Sequence, residues 1–334
     1  HAVIKKSNSL NLIDLMAEAE FALAKVYQRR HREICDFYSS TNYDTFIDVI
    51  KYERGCIPKK NKDNVDEWKR YQETIERYKE MFSTTIVLAI KNYMNTLLHS
   101  NKYDLECTYA IVGLWFNYSY TKYKEYVEEV PDLIETLKEI FPKIQENKFL
   151  HLFYQLAARI DVVDAIDPTQ TNNYNIDFQE FLREMLSSIC KRNPNECFPI
   201  LFALINTNQG NNKSQEIINL IDFITRESQE LQRHWAEMKF LMRQYILIAS
   251  EVTTDSKSLS QLDENIFKCT TDKKHYITII TSSKNVGINK FEDEITVFQS
   301  QTTPILIKIK GNDGKTYHQI LKGKKDDLRQ DAVM

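Results

Sequence analysis

Near the end of the sequence a lysine, Lys322, closes a run of alternating residues and is followed by the acids Asp326, Asp327 and Asp331. An ammonium group held in place by a carboxylate is a means of gripping nucleotide phosphates, because the acid fixes where the positive charge points. Asp327 and Asp331 lie four residues apart, which puts them on one face of a helix. Asp327 as N-cap with Gln330 three residues on is a variant of the capping box, and both Asp326 and Asp327 suit the positive end of a helix dipole. Taken by spacing alone, a solvated strand-end lysine beside a helix-capping acid is the commoner arrangement. A second pair, His31 and Cys35, has metal-like i, i+4 spacing, but no further ligand pair accompanies it, so it reads as structural. Cys190 and Cys197 flank a turn and read as two buried thiols.

The segments that must position these groups fall into two parts. From Leu10 to about Ser250 the apolar spacing is helical, beginning with Leu12, Leu15, Met16, Ala19, Ala22 and Val26 as one buried stripe. Further helices are expected at Tyr43 to Tyr52, over 65–98, and at about 104–117, 132–140, 148–162, 177–192, 196–206, 213–225 and 227–250. Short connectors such as Asn193-Pro194 separate them, since proline disfavours helical geometry in the residue before it. Helices joined this way imply a mainly α chain, an α-solenoid-like antiparallel array, with no strict internal repeat. The polar stretch 251–265 reads as a linker. Beyond it the period drops to two at Tyr276 to Ile280, Ile295 to Phe298 and Ile305 to Ile309. Gly311-Asn312-Asp313-Gly314 is a tight hairpin turn, and Lys315 to Lys322 is the returning strand. The expected domains are therefore 1–250 (helical), 251–265 (linker) and 266–334 (a small antiparallel sheet leading into a helix).

Composition agrees with this division. The 334 residues carry 44 basic and 47 acidic side chains, a net charge of −3 that argues against a chain built to coat nucleic acid. A hydrophobic share of 42% is enough to bury a core. Glycine and proline number only seven each, a scarcity that suits long helices rather than turn-rich β folds. The six cysteines include no Cys-x-x-Cys pair and suggest a reducing interior, and no apolar run approaches the roughly 18 residues of a membrane span. The opening His1, in place of an initiator methionine, and the closing Ala332-Val333-Met334, like a helix cut after its first turn, lead us to expect a fragment.

The string Leu321-Lys322-Gly323-Lys324-Lys325-Asp326-Asp327-Leu328-Arg329-Gln330-Asp331-Ala332-Val333-Met334 resembles a motif of the phosphatidylinositol-3-kinase-related protein kinases, with Ala-Val-Met pointing to the ATM branch. Lys148 to Ile160, with Tyr154-Gln155-Leu156-Ala157-Ala158-Arg159 at its centre, is similar to the same branch's signature in its helical FAT domain. Asn92 to Leu98 and Pro199 to Asn206 agree with it in the right order. The resemblance implies a FAT scaffold followed by the start of a kinase N-lobe, in a serine/threonine kinase of DNA-damage signalling that prefers Ser/Thr followed by Gln. It implies ATP with Mg²⁺ as cofactor of the parent protein. Lys322 would contact the phosphates, and Asp331 and Asp327 would orient it. The loop Val297 to Pro304 would cover the phosphates, with Ser300 donating a hydrogen bond.

The implied partners are the rest of the kinase domain, a second copy through the helical regions and a double-strand-break sensor complex, in the nucleus, with no membrane and no direct sequence-specific contact to nucleic acid. The stretch Gly323 to Asp326 is one residue longer than the family pattern. The sequence holds neither a catalytic loop nor a metal-binding aspartate, so this chain alone is expected to be inactive. A phosphoinositide lipid kinase and a non-catalytic helical scaffold are the competing assignments. Tyr154 to Arg159 and the terminal Ala-Val-Met favour the ATM branch over the first, and the Lys322 string disfavours the second.

Overall fold

The computed structural model describes residues 2–38, 40, 62–120, 131–161, 173–207, 212–251, 258–259, 286–299 and 303–322. Its helices are α1 (Ala2–Tyr38), α2 (Lys62–His99), α3 (Asp104–Tyr120), α4 (Pro131–Ile140), α5 (Phe153–Ala157), α6 (Asn173–Arg192), α7 (Pro194–Thr207), α8 (Asn212–Thr225) and α9 (Gln229–Glu251). The strands are β1 (Ile288–Phe291), β2 (Thr296–Val297), β3 (Ile305–Gly311) and β4 (Thr316–Leu321). The expected mainly α chain ending in a small antiparallel sheet is what is observed. The helix expected at 43–52, the strand at 276–280 and the helix after Asp326 lie outside the described residues. No described helix is long and apolar enough to cross a membrane. The chain divides into two compact units, one of residues 1–152 and 163–185, the other of residues 153–162 and 186–334.

In the first unit α1 and α2 form a long antiparallel pair. Ala17, Ala24, His31 and Tyr38 are buried at intervals of seven, facing Phe82, Ile86, Ala89, Tyr93 and Leu97 of α2. A strict seven-residue spacing is the signature of a coiled-coil seam, and alanine in it lets the helices approach closely. Glu20 bonds His99 at 2.8 Å and Glu18 bonds Lys102 at 2.8 Å, closing one end of the pair. The seam is not the stripe expected from sequence. Leu12, Leu15 and Val26 are 60%, 61% and 62% exposed, because the small residues on the opposite face take the partner helix. Both faces of α1 are apolar, and periodicity cannot say which is used. Trp115 of α3 packs at 4.7 Å on Phe178 and at 5.3 Å on Phe181 of α6.

The segment 148–162, expected as one helix, instead begins within a stretch of tighter helix (Glu146–Leu152) and continues as the five-residue α5. Lys148 accounts for the departure. Its side chain is only 6% exposed, and its ammonium donates to Leu97 O at 2.7 Å, Ser100 O at 3.0 Å and Asp104 Oδ1 at 2.9 Å. One buried cation thus satisfies carbonyls at the end of α2 and the first acid of α3, and that tertiary demand overrides helical propensity.

In the second unit α7, α8 and α9 pack together, and Ala157 of α5 is fully buried. Asn193 ends α6 by donating its side-chain amide to Ile189 O at 3.0 Å, and Pro194 opens α7, where its missing N–H costs nothing. Cys190 and Cys197 are buried free thiols, and burial, with a smaller contribution from the neighbouring Cys190, drives the Cys197 thiol far up. β3 is the centre of the sheet. β4 pairs along one edge from Ile305↔Leu321 to Lys310↔Thr316, while β1 and then β2 share the other. Between Phe291↔Ile309 and Thr296↔Leu306, five residue steps on one side oppose three on the other, so two residues bulge out.

Candidate functional site

Alternation divides β3 and β4 into two faces. Ile305, Ile307 and Ile309 are buried, with Leu321, Gln319 and Tyr317 opposite them on the same side. This face meets α9: the Tyr245 hydroxyl donates to Gln319 Oε1, and the Tyr245 ring meets Phe291 edge-on at 6.3 Å. The outward face carries Leu306 and Lys308 with their partners Ile320 and His318, then Lys322.

Lys322 follows β4 directly and is exposed. Because Leu321 pairs with Ile305, and Ile305 also pairs with Val297, Lys322 stands at the end of the sheet where the Val297–Pro304 loop begins and ends. Phe298 N–H donates to Pro304 O at 2.9 Å and pinches that loop at its base. Beside it Thr303 adopts a φ of 45°, a costly conformation for a β-branched residue that is found where a loop is tightly constrained. On the outward face of this end lie Phe298, 43% exposed, the half-buried Leu306 and Ile320, 58% exposed. The arrangement is an open apolar patch beside a pinched loop and a lysine. It offers a flat apolar ring a surface and an anionic tail a cation.

Of the four residues singled out for nucleotide contact, Lys322 is therefore placed at the expected loop, while Ser300, Asp327 and Asp331 lie outside the described residues. Two other lysines, both of β3, are paired with acids. Lys308 bonds Glu294 at 2.7 Å and Lys310 lies 3.8 Å from Glu292. The Lys308–Glu294 hydrogen bond raises the lysine and lowers the acid from their ordinary values. The contact between Tyr245 and Gln319 was missed by sequence reasoning. Its signal was a polar glutamine at an inward position of β4, between Tyr317 and Leu321 and opposite Ile307.

The His31–Cys35 pair is built into the α1–α2 seam. Thr85 donates its hydroxyl to Met81 O at 2.7 Å, which leaves its oxygen to accept from His31 Nδ1 at 3.3 Å. His31 Nε2 then accepts from the Cys35 thiol at 3.5 Å. Both ring nitrogens are thus engaged, and burial brings the imidazole down to about 4 and the thiol up to about 11, so near pH 7 the thiol stays protonated and is not poised as a nucleophile. The structural reading of this pair agrees with its surroundings.

No protein-family model matches the chain. Over 344 aligned residues it is 24% identical to the serine/threonine-protein kinase ATM of Drosophila melanogaster, a match covering 93% of this chain and 12% of the relative. Among solved structures, the FAT and kinase domain of CtTel1 superposes with a TM-score of 0.66 at 19% identity, over 93% of this chain and 22% of that one. The complete CtTel1 dimer with C2 symmetry gives a TM-score of 0.65 at 18% identity, again over 93% of this chain. The fold is thus that of helical FAT and kinase-domain chain in CtTel1, and the chain spans only about an eighth of the length of the ATM relative. The resemblance carried by the last fourteen residues extends over most of the sequence. Similarity to ATM and Tel1 kinases supports the ATM-type assignment over the lipid-kinase and scaffold alternatives.

Proposed function

We propose that this chain is part of an ATM-type serine/threonine kinase of DNA-damage signalling, made of helical FAT scaffold and the phosphate-gripping beginning of the kinase N-lobe. The observation that carries the reading is the placement of Lys322 beside the pinched Val297–Pro304 loop, on the face that presents Phe298, Leu306 and Ile320. In this reading the patch takes the nucleotide base and Lys322 bonds the phosphates. Asp331 and Asp327 orient the ammonium group, and Ser300 donates a hydrogen bond from the loop. Bound Mg²⁺ neutralises charge on the transferred phosphoryl group, and its ligands belong to the remainder of the kinase domain. The domain limits follow as 1–250, 251–265 and 266–334, consistent with described helices ending at Glu251 and named strands beginning at Ile288. Likeness to a C2 dimer supports self-association through helical regions. A nuclear location and a double-strand-break sensor as activating partner follow from the same reading.

The test is phosphoryl transfer by the complete kinase that contains this chain, on a peptide bearing Ser followed by Gln. Lys322→Arg is expected to lower kcat by about 100-fold or more, because the longer, planar guanidinium keeps the charge but cannot place it where the compact ammonium sits. Full activity in that variant would sink the assignment. The isolated 334 residues are expected to bind ATP weakly or not at all, and tight Lys322-dependent binding in calorimetry would contradict this reading.

A further inference from the structure

We propose that Tyr245 of α9 is a positioning residue for Lys322, setting where the end of β4 sits through its hydrogen bond to Gln319. The inference rests on the reading of Lys322 as the phosphate contact and adds a helical residue to that site.

Three observations combine. Tyr245 is buried, 8% exposed, and its hydroxyl donates to Gln319 Oε1 on β4, while its ring meets Phe291 of β1 edge-on. β1 and β4 lie on opposite edges of β3, so one side chain of α9 touches both flanks of the sheet. Gln319 of β4 is three residues before Lys322, which directly follows the strand, about 10 Å along an extended backbone.

The rest of this face is apolar or aromatic: Ile305, Ile307 and Ile309 are buried on it, with Phe291, Tyr317 and Leu321 beside them. Apolar contact supplies energy without direction, and an apolar face tolerates sliding. A hydrogen bond does not, because its strength falls steeply with angle and distance. The Tyr245 hydroxyl is itself buried, and a buried donor costs free energy when its acceptor is lost, so the pair resists any slip that would separate it. The buried isoleucines supply apolar burial, and Tyr245 with Gln319 fixes where β4 sits against α9. A lysine that must meet a phosphate oxygen needs that placement, since its hydrogen bond to the nucleotide weakens steeply when the two are misplaced. Burial pushes the Tyr245 hydroxyl far above its usual range, so it remains a donor at all working pH values.

The experiment uses the complete kinase, with Lys322→Arg beside Tyr245→Phe, Gln319→Leu and the double variant. Tyr245→Phe keeps the ring against Phe291 and removes only the hydroxyl. With Lys322→Arg inactive, the expected result is a rise in KM for ATP of about fivefold to tenfold in both single variants, with KM for the peptide unchanged. The double variant should be no worse than either single one, since both remove the same bond. A purely structural role would lower the melting temperature or the active fraction and leave KM for ATP where it was. That outcome, with Lys322→Arg inactive, overturns this inference alone. An active Lys322→Arg enzyme overturns the reading of the site, and the inference falls with it.

Discussion

A neutral imidazole inside the α1–α2 seam gives the molecule a pH dependence that can be worked out from one residue. His31 is held at about 4 by burial, against about 6.5 for the same group in an unfolded chain. Between those values the unfolded state binds a proton that the folded state refuses, so stability is fully present above about 6.5 and is lost as the pH falls towards about 4. The loss attributable to His31 is up to about 3 kcal/mol. Urea denaturation at pH 7 and pH 4.5 should therefore show a larger drop for the native chain than for His31→Gln, whose amide takes no proton. Equal drops would remove His31 from the acid response. At this scale the sequence was readable in part. His31 and Cys35 showed their spacing, and the lack of further ligands argued for structure over metal. Lys148 gave no warning of its buried, three-bonded state, because a lysine in a helical pattern reads as solvated until its neighbours in space are known.

Among the elements, the β3–β4 hairpin is the clearest meeting of local rules and geometry. Gly314 has a φ of 79°, and its N–H returns to Gly311 O at 3.1 Å, as a type I turn with a left-handed residue after it requires. Gly311 is held for a different reason. A Cβ there would stand 2.6 Å from Asp313 Oδ1, 2.7 Å from Val286 Cγ1 and 2.9 Å from Tyr317 Cε2. Asp313 cannot swing away freely, since it accepts from Tyr317 Oη at 2.7 Å and from Lys315 N–H at 3.1 Å. Gly311→Ala should cost about 2 kcal/mol in chemical denaturation of the chain, the usual penalty of overpacking. An unchanged midpoint would mean that the crowding relaxes at no cost. The hairpin was legible because its turn residues are dictated by backbone sterics. The α-helices were legible to within a few residues for the same kind of reason. The tight turns around Lys148 were not, because they answer to carbonyls about fifty residues away, and β1 was too short for its alternation to register.

For the whole molecule, the largest difference between expectation and structure is which side of α1 is used. Apolar periodicity found a helix with a stripe, and the stripe is real, but the buried seam is the other face, where alanines stand at intervals of seven. Side-chain size decided between them, and period alone carries no information about size. A chain with Leu12, Leu15 and Val26 this exposed should be poorly soluble by itself. Replacing them with Gln, Glu and Lys should raise its soluble yield and shift the melting temperature by no more than about 2 °C, because solvent already surrounds them. A fall of several degrees would show that the stripe carries structural load within the 334 residues. The α1–α2 pair also has a consequence for synthesis. Its end is closed by Glu18 and Lys102, which are 84 residues apart. At about 5–20 residues per second, a ribosome makes Lys102 roughly 4 to 17 seconds after Glu18. For that interval α1 is without the α2 side chains that bury its Ala17–Tyr38 seam.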